Sequence, residues 1–176
     1  VKDVHVVAVN NEVKELLWIL ERNFQGDVMV KTINFSNSGK QHFNFIFEEE
    51  NTLRADYVFP LTYFYEPNSA ILKAGAFNTI SNKLNLPKLH KHTHLYTSDE
   101  LIDFPGRCFK VQTVIPFNKK LFAKEKIQKA NVTTRNFPLS VGDLRRKFKI
   151  KDGGPVYLFF TTLSTGKKVI IIALKA

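Results

Sequence analysis

Val4-His5-Val6-Val7-Ala8-Val9-Asn10-Asn11-Glu12-Val13-Lys14-Glu15-Leu16-Leu17 is the stretch from which the fold is read. Val4, Val6, Val7 and Val9 are β-branched and read as a buried strand. Asn10 or Asn11 is placed to cap a helix, accepting a bond from an otherwise unpaired backbone N–H. Val13, Leu16, Leu17 and Leu20 then recur at spacings of three and four, which predicts one apolar stripe on an amphipathic helix. Gln25-Gly26-Asp27 ends that helix. Val28 to Phe35 and His42 to Phe47 read as two strands joined by the turn-rich Ser36-Asn37-Ser38-Gly39-Lys40.

The order β-α-β-β predicts the opening of a ferredoxin-like unit, with the acidic run Glu48-Glu49-Glu50 as its solvated exit. We place the boundary near residues 49–56, giving a first domain over 1–56 and a second over 57–176. The second opens with the strand Tyr57 to Tyr65, interrupted by Pro60. Glu66-Pro67-Asn68-Ser69 then starts a helix that carries Ala70, Ala74, Phe77 and Leu84 at helical spacing and runs to about Leu84. From Arg107 the alternation of Phe109, Val111, Thr113, Ile115 and Phe117 predicts a half-buried strand. Asn118 caps a helix from Lys119 to about Ala130, Val132 to Phe137 is a short strand, and Ser140-Val141-Gly142-Asp143 matches a capping box. Val156 to Thr162 and Lys168 to Leu174 close the chain as a hairpin. The expected class is α+β, with two small units, the second an α/β domain ending in that hairpin.

Composition bounds the chemistry. The chain has 176 residues, 26 Lys+Arg against 16 Asp+Glu and a net charge of +10. Its single cysteine, Cys108, excludes an internal disulfide framework and every multi-thiolate metal site. It suits a reducing, cytoplasmic setting. No run approaches the roughly 20 apolar residues of a membrane span, so no membrane partner is expected. The chain begins at Val1 with a strand already under way at Val4, and we expect a fragment with further sequence before it. Residues 1–60 carry 6 Lys+Arg and 9 Asp+Glu, net −3, whereas residues 61–176 carry 20 and 7, net +13. That asymmetry suggests two units, the second facing a polyanion.

Catalytic signatures are scarce. Gly166-Lys167-Lys168 lacks the Ser or Thr and the earlier glycine of a phosphate loop, and reads as a hairpin turn. No glycine loop for a dinucleotide or for S-adenosylmethionine follows a strand. His90, His92 and His94 have a spacing that on a strand would aim three imidazoles at one metal, but Lys91 lies among them and the segment reads as a loop, so no metal site is assigned. Cys108 sits beside Arg107 and Lys110 and reads as a small core group rather than a nucleophile. What remains is binding. Arg107, Lys110, Lys119, Lys120, Arg135, Arg145, Arg146, Lys147, Lys149 and Lys151 come from consecutive elements and are expected to share one RNA-binding face. Tyr96, Phe104, Phe122 and Phe137 are candidates for base stacking.

At Tyr63-Phe64-Tyr65-Glu66-Pro67-Asn68-Ser69-Ala70-Ile71-Leu72-Lys73-Ala74-Gly75 the sequence resembles the opening of the THUMP-like domain found at the C-terminal end of a family of class I S-adenosylmethionine-dependent methyltransferases. His94-Leu95-Tyr96-Thr97-Ser98-Asp99, Phe104-Pro105-Gly106-Arg107-Cys108-Phe109-Lys110-Val111 and the ending from Asn131 through Arg135 and Leu144-Arg145-Arg146-Lys147-Phe148 to the hairpin agree with it, so that the likeness covers residues 57–176. Residues 4–17 resemble the ferredoxin-like segment of the bacteroidete members. The resemblance implies a non-catalytic C-terminal piece of an RNA methyltransferase. Its catalytic domain, with the S-adenosylmethionine site, would lie N-terminal to Val1 as a partner in cis, and no cofactor would bind these residues. The leading expectation is a module that positions tRNA or rRNA through its basic face. The alternative is a structural interaction module that packs on the methyltransferase domain or mediates dimerisation. A third expectation, a metal-dependent enzyme using His90, His92 and His94, is weaker.

Overall fold

The computed structural model describes residues 1–37 and 39–176. Ser38, in the loop expected between two of the strands, lies outside the described residues. The α+β class and the presence of two units hold. One compact unit comprises residues 1–55, 66–86 and 103–107, and the other comprises 56–65, 87–102 and 108–176.

The first unit is built on strands β1 (Asp3–Val9), β2 (Glu12–Ile19), β3 (Met29–Ser36) and β4 (Gly39–Ile46), in the sheet order β2-β1-β3-β4. β1 runs parallel to β3 and antiparallel to β2. The helix expected over Val13 to Leu20 is therefore the strand β2, so the opening is β-β-β-β rather than β-α-β-β. Asn10 and Asn11 both adopt positive φ, 50° and 62°, the conformation of a two-residue hairpin turn that asparagine tolerates. Once that turn is made, residues 12–19 must pair with β1. The unbroken run Leu16-Leu17-Trp18-Ile19 fits a strand that is apolar on both faces as well as it fits a helix.

Three short helices complete the unit: α1 (Glu49–Thr52), α2 (Ser69–Ala74) and α3 (Phe77–Lys83). The single helix expected over residues 70–84 breaks at Gly75, whose φ of 78° is the left-handed C-cap of α2. Ala70 and Ala74 pack on Val6, Ala8 and Val13, the small side chains allowing close approach to the sheet. Glu50 is not a solvated exit. Its carboxylate accepts from the Asn78 and Thr79 amides at 2.7 and 2.8 Å and so caps α3 from 28 and 29 residues away.

The second unit holds most of a six-stranded sheet ordered β6-β5-β7-β10-β9-β8, from β5 (Tyr63–Pro67), β6 (Tyr96–Ser98), β7 (Gly106–Pro116), β8 (Lys129–Arg135), β9 (Lys151–Thr162) and β10 (Lys168–Lys175). β10, bounded by β7 and β9, is the core strand, with Val169 to Ala173 all buried. β8 and β9 are parallel and are connected by α5 (Val141–Phe148). On one face α5 and α4 (Lys119–Lys124) bring Phe122, Leu144 and Phe148 against Leu158, Phe160, Ile170 and Ile172. The other face is filled by Phe64, Leu89, Leu95, Phe109, Phe159 and Ile171. The expected capping box forms as read: Ser140 accepts from the Asp143 amide, and the Asp143 carboxylate reaches back to Ser140. The helix after Asn118 is shorter than expected, because residues from Lys129 pair with β9. Among the described residues no helix is long and apolar enough to cross a membrane.

Candidate nucleic-acid interface

The recognisable motifs prove to be structural partners of one another. Arg107 Nε donates to Glu66 Oε2 at 2.7 Å, and its Nη2 donates to the same oxygen. The Glu66 side chain is only 3% exposed. The Asn68 amide donates to the Pro105 carbonyl at 3.1 Å. Gly106 lies so close to this bend that a Cβ there would stand 2.1 Å from the Glu66 carbonyl oxygen. Gln41 bridges the set, donating to the Gly106 carbonyl and accepting from Asn34 and Asn68. Glu66-Pro67-Asn68 and Phe104-Pro105-Gly106-Arg107 therefore interlock as one buried polar joint of the first unit. Arg107 is committed to that joint.

The other nine expected cations lie in the second unit and do not share one surface. Alternation along β8 puts Ala130 and Val132 on the helix-bearing face and Arg135 on the opposite one, where its charge helps to lower the His94 pKa. Lys110 is exposed on β7, opposite Leu174. Arg145 pairs with Asp152 and Arg146 with Asp143. Lys147 folds over the Phe117 ring, with Nζ 4.8 Å from its centroid.

The remaining lysines converge. Residues 119–151 hold 11 Lys+Arg against 2 Asp+Glu. A groove of about 550 Å³ at the ends of α4 and α5 has Phe122, Ile127 and Phe148 among its apolar lining and Lys119, Lys126 and Lys149 among its polar lining. Lys126 and Lys149 sit at φ 53° and 55°, left-handed conformations that a lysine adopts at a cost. Beside the groove, Lys129 and Lys151 are register partners across β8 and β9, a like-charge pair that destabilises the ladder locally. Among the described residues none of Lys119, Lys120, Lys126, Lys129, Lys149 and Lys151 forms an ion pair. Composition signalled this cluster, but Lys126 and Lys129 were missed, because helical spacing treats them as a solvated face rather than as neighbours of Lys149 and Lys151.

The stacking candidates are mostly core. Tyr96, Phe104 and Phe122 are 0%, 4% and 4% exposed, and Phe137 packs edge-on against Phe117 and Phe160. Phe122 and Phe137 serve packing of the helix-bearing sheet face. His90 Nδ1 accepts from the His92 amide at 2.9 Å and meets Asn136 Nδ2 at 3.1 Å. Burial lowers the His90 pKa, helped by His92 and Lys88. His94 is pushed down to about 4 by burial and then by Lys88, His92, Arg135 and His90. Among the described residues no three His, Cys, Asp or Glu side chains are placed to hold one metal ion. Cys108 is half-buried on β7.

Residues 63–105 match a ferredoxin-like domain family and residues 106–175 match a THUMP domain-like family. The chain is similar to a crystal structure of a "putative methyltransferase" from Porphyromonas gingivalis W83, with 39% sequence identity and a TM-score of 0.92. That match covers 99% of this chain and 46% of the other, so the chain spans less than half the length of its structural relative. No curated protein sequence matches it.

Proposed function

We propose that this chain, which joins a ferredoxin-like domain to a THUMP-like domain, is a non-catalytic accessory module of an RNA methyltransferase. In this reading it holds tRNA or rRNA through the lysine-rimmed groove at the ends of α4 and α5. The observation that carries the reading is the set of lysines retained where they are unfavourable: two in left-handed backbone at the groove and two facing each other across β8 and β9. A polyphosphate strand relieves that repulsion and releases its own counterions in doing so. Of the cations read from the sequence, Lys119 and Lys149 line the groove and Lys151 lies beside it, joined by Lys126 and Lys129. Lys110, Lys120, Arg135, Arg145, Arg146 and Lys147 lie outside the groove lining. The residues here do not fit S-adenosylmethionine, because the glycines, apart from the Gly153-Gly154 pair inside β9, sit singly rather than in a loop after a strand. We place that cofactor and the chemistry in a catalytic domain elsewhere in a longer, cytoplasmic polypeptide.

Binding of tRNA and rRNA fragments, measured by fluorescence anisotropy across salt, tests the proposal. Affinity is expected to fall steeply with salt, and the triple change Lys119→Glu, Lys126→Glu, Lys149→Glu to flatten the slope by about one for each phosphate no longer neutralised. Salt-independent binding, or no binding at low salt, overturns it.

A further inference from the structure

We infer that the free edge of the four-stranded sheet and the groove beside it are the seat of a further domain of a longer polypeptide, one offering an apolar, strand-bearing surface. β2 is an edge strand, paired among the described residues with β1 alone. Natural edge strands are shielded by charge, proline or a covering element, since their unpaired N–H and C=O groups recruit other chains. Here the run Leu16-Leu17-Trp18-Ile19-Leu20 is uncharged and open to solvent, at 43%, 47%, 57%, 43% and 74% exposure. Its register with Val4 and Val6 puts Leu16 and Trp18 on the face that carries α2. α2 has only six residues, about 9 Å of helix, and leaves part of that face uncovered. The result is a groove of about 370 Å³ lined by Val4, Leu16, Trp18, Val28 and Phe47. A continuous apolar patch of this kind marks an interaction site rather than ordinary surface.

The occupant follows from two observations. Val1 itself lines the groove, so any chain joined there emerges on the patch and is delivered to it at high effective concentration. The structural relative matches this fold at a TM-score of 0.92 yet carries more than half of its chain outside the match. A covalently attached domain docking on β2 satisfies the open strand edge and fills the groove together. This inference concerns the first unit and stands apart from the RNA-binding groove.

Trp18 is the sole tryptophan of the chain, and hydrogen exchange reports on its strand. In the 176-residue chain, the amides of residues 12–20 that do not bond to β1 are expected to exchange rapidly and the protein to be monomeric by light scattering. In the polypeptide encoded by the whole natural gene, the same amides are expected to be protected by about tenfold or more. The pair Trp18→Glu and Leu20→Glu is expected to abolish that protection while leaving the melting of the 176-residue chain unchanged, since both side chains are exposed. Equal exchange in the two proteins, a gene with no coding sequence before Val1, or a 176-residue dimer broken by Trp18→Glu each overturns the inference, the last by making a second copy the occupant. The lysine variants of the RNA assay leave this exchange untouched, so either reading can fail alone.

Discussion

Replacing Gly106 by alanine probes the joint between the two motif segments directly. A Cβ at this position would lie 2.1 Å from the Glu66 carbonyl oxygen and 2.9 Å from both Pro67 Cα and a Phe104 ring carbon. An ordinary carbon–oxygen separation is about 3.3 Å, so the backbone must open by about 1 Å. Two of the obstacles are main-chain atoms, and no rotamer change relieves them. Overpacking of this kind costs about 3 kcal/mol, and the opening also pulls Arg107 away from the buried Glu66. For a chain of this size that loss lowers Tm by about 6–12 °C. Thermal and urea unfolding of Gly106→Ala measure it, with Gly142→Ala as the control. A Cβ at Gly142 meets nothing closer than the Ser140 hydroxyl at 3.8 Å, so that variant should be neutral or up to about 1 kcal/mol more stable. A Gly106→Ala protein within about 0.5 kcal/mol of the parent would refute the reasoning.

Other consequences are independent of that joint's geometry or follow from its charge. Arg107→Ala leaves the Glu66 carboxylate buried without its guanidinium and is expected to destabilise the chain by about 3 kcal/mol, with no change in the salt slope of RNA binding. An altered slope would place Arg107 on the RNA. His94 titrates at about 4 in the folded protein against 6.5 when free, so the unfolded chain takes up a proton first as the pH falls. Stability is thus full above pH 6.5 and lost progressively toward pH 4, by on the order of 1–2 kcal/mol after allowance for the partial exposure of the ring. His94→Asn, which tolerates the positive φ of this position, should flatten that pH dependence in urea melts, and an unchanged slope would contradict it. Lys149→Gly relieves a left-handed residue at the end of α5 and should stabilise the chain by about 0.5–1 kcal/mol while weakening RNA binding. A variant that gains stability and keeps full affinity removes Lys149 from the site.

Where local chemistry and tertiary contact agreed, the fold was legible in the sequence. Asn118 and Ser140 cap their helices as their positions predict, and the alternation from Phe109 onward is the strand β7. Residues 12–19 were misread because a run apolar on both faces carries no period of two, and the deciding signal was the Asn10-Asn11 turn, which suits a hairpin as well as a helix cap. Glu50 could not be assigned from its neighbours, since its partners are the amides of Asn78 and Thr79. At the candidate site the charge excess was visible at once. Its division was not, because pairing with Glu66, Asp143 and Asp152 depends on which strands and turns meet.

The first unit draws on residues 1–55, 66–86 and 103–107, and this discontinuity has a kinetic meaning. As the nascent chain leaves the ribosome, its four strands emerge well before the α2 residues Ala70 and Ala74 that cover Val6 and Ala8, and before the arginine that neutralises Glu66. The sheet must wait, partly bare, until translation has passed Arg107. A polypeptide in which a preceding domain already shelters the Leu16–Leu20 edge would cross that interval with far less surface open to misassociation.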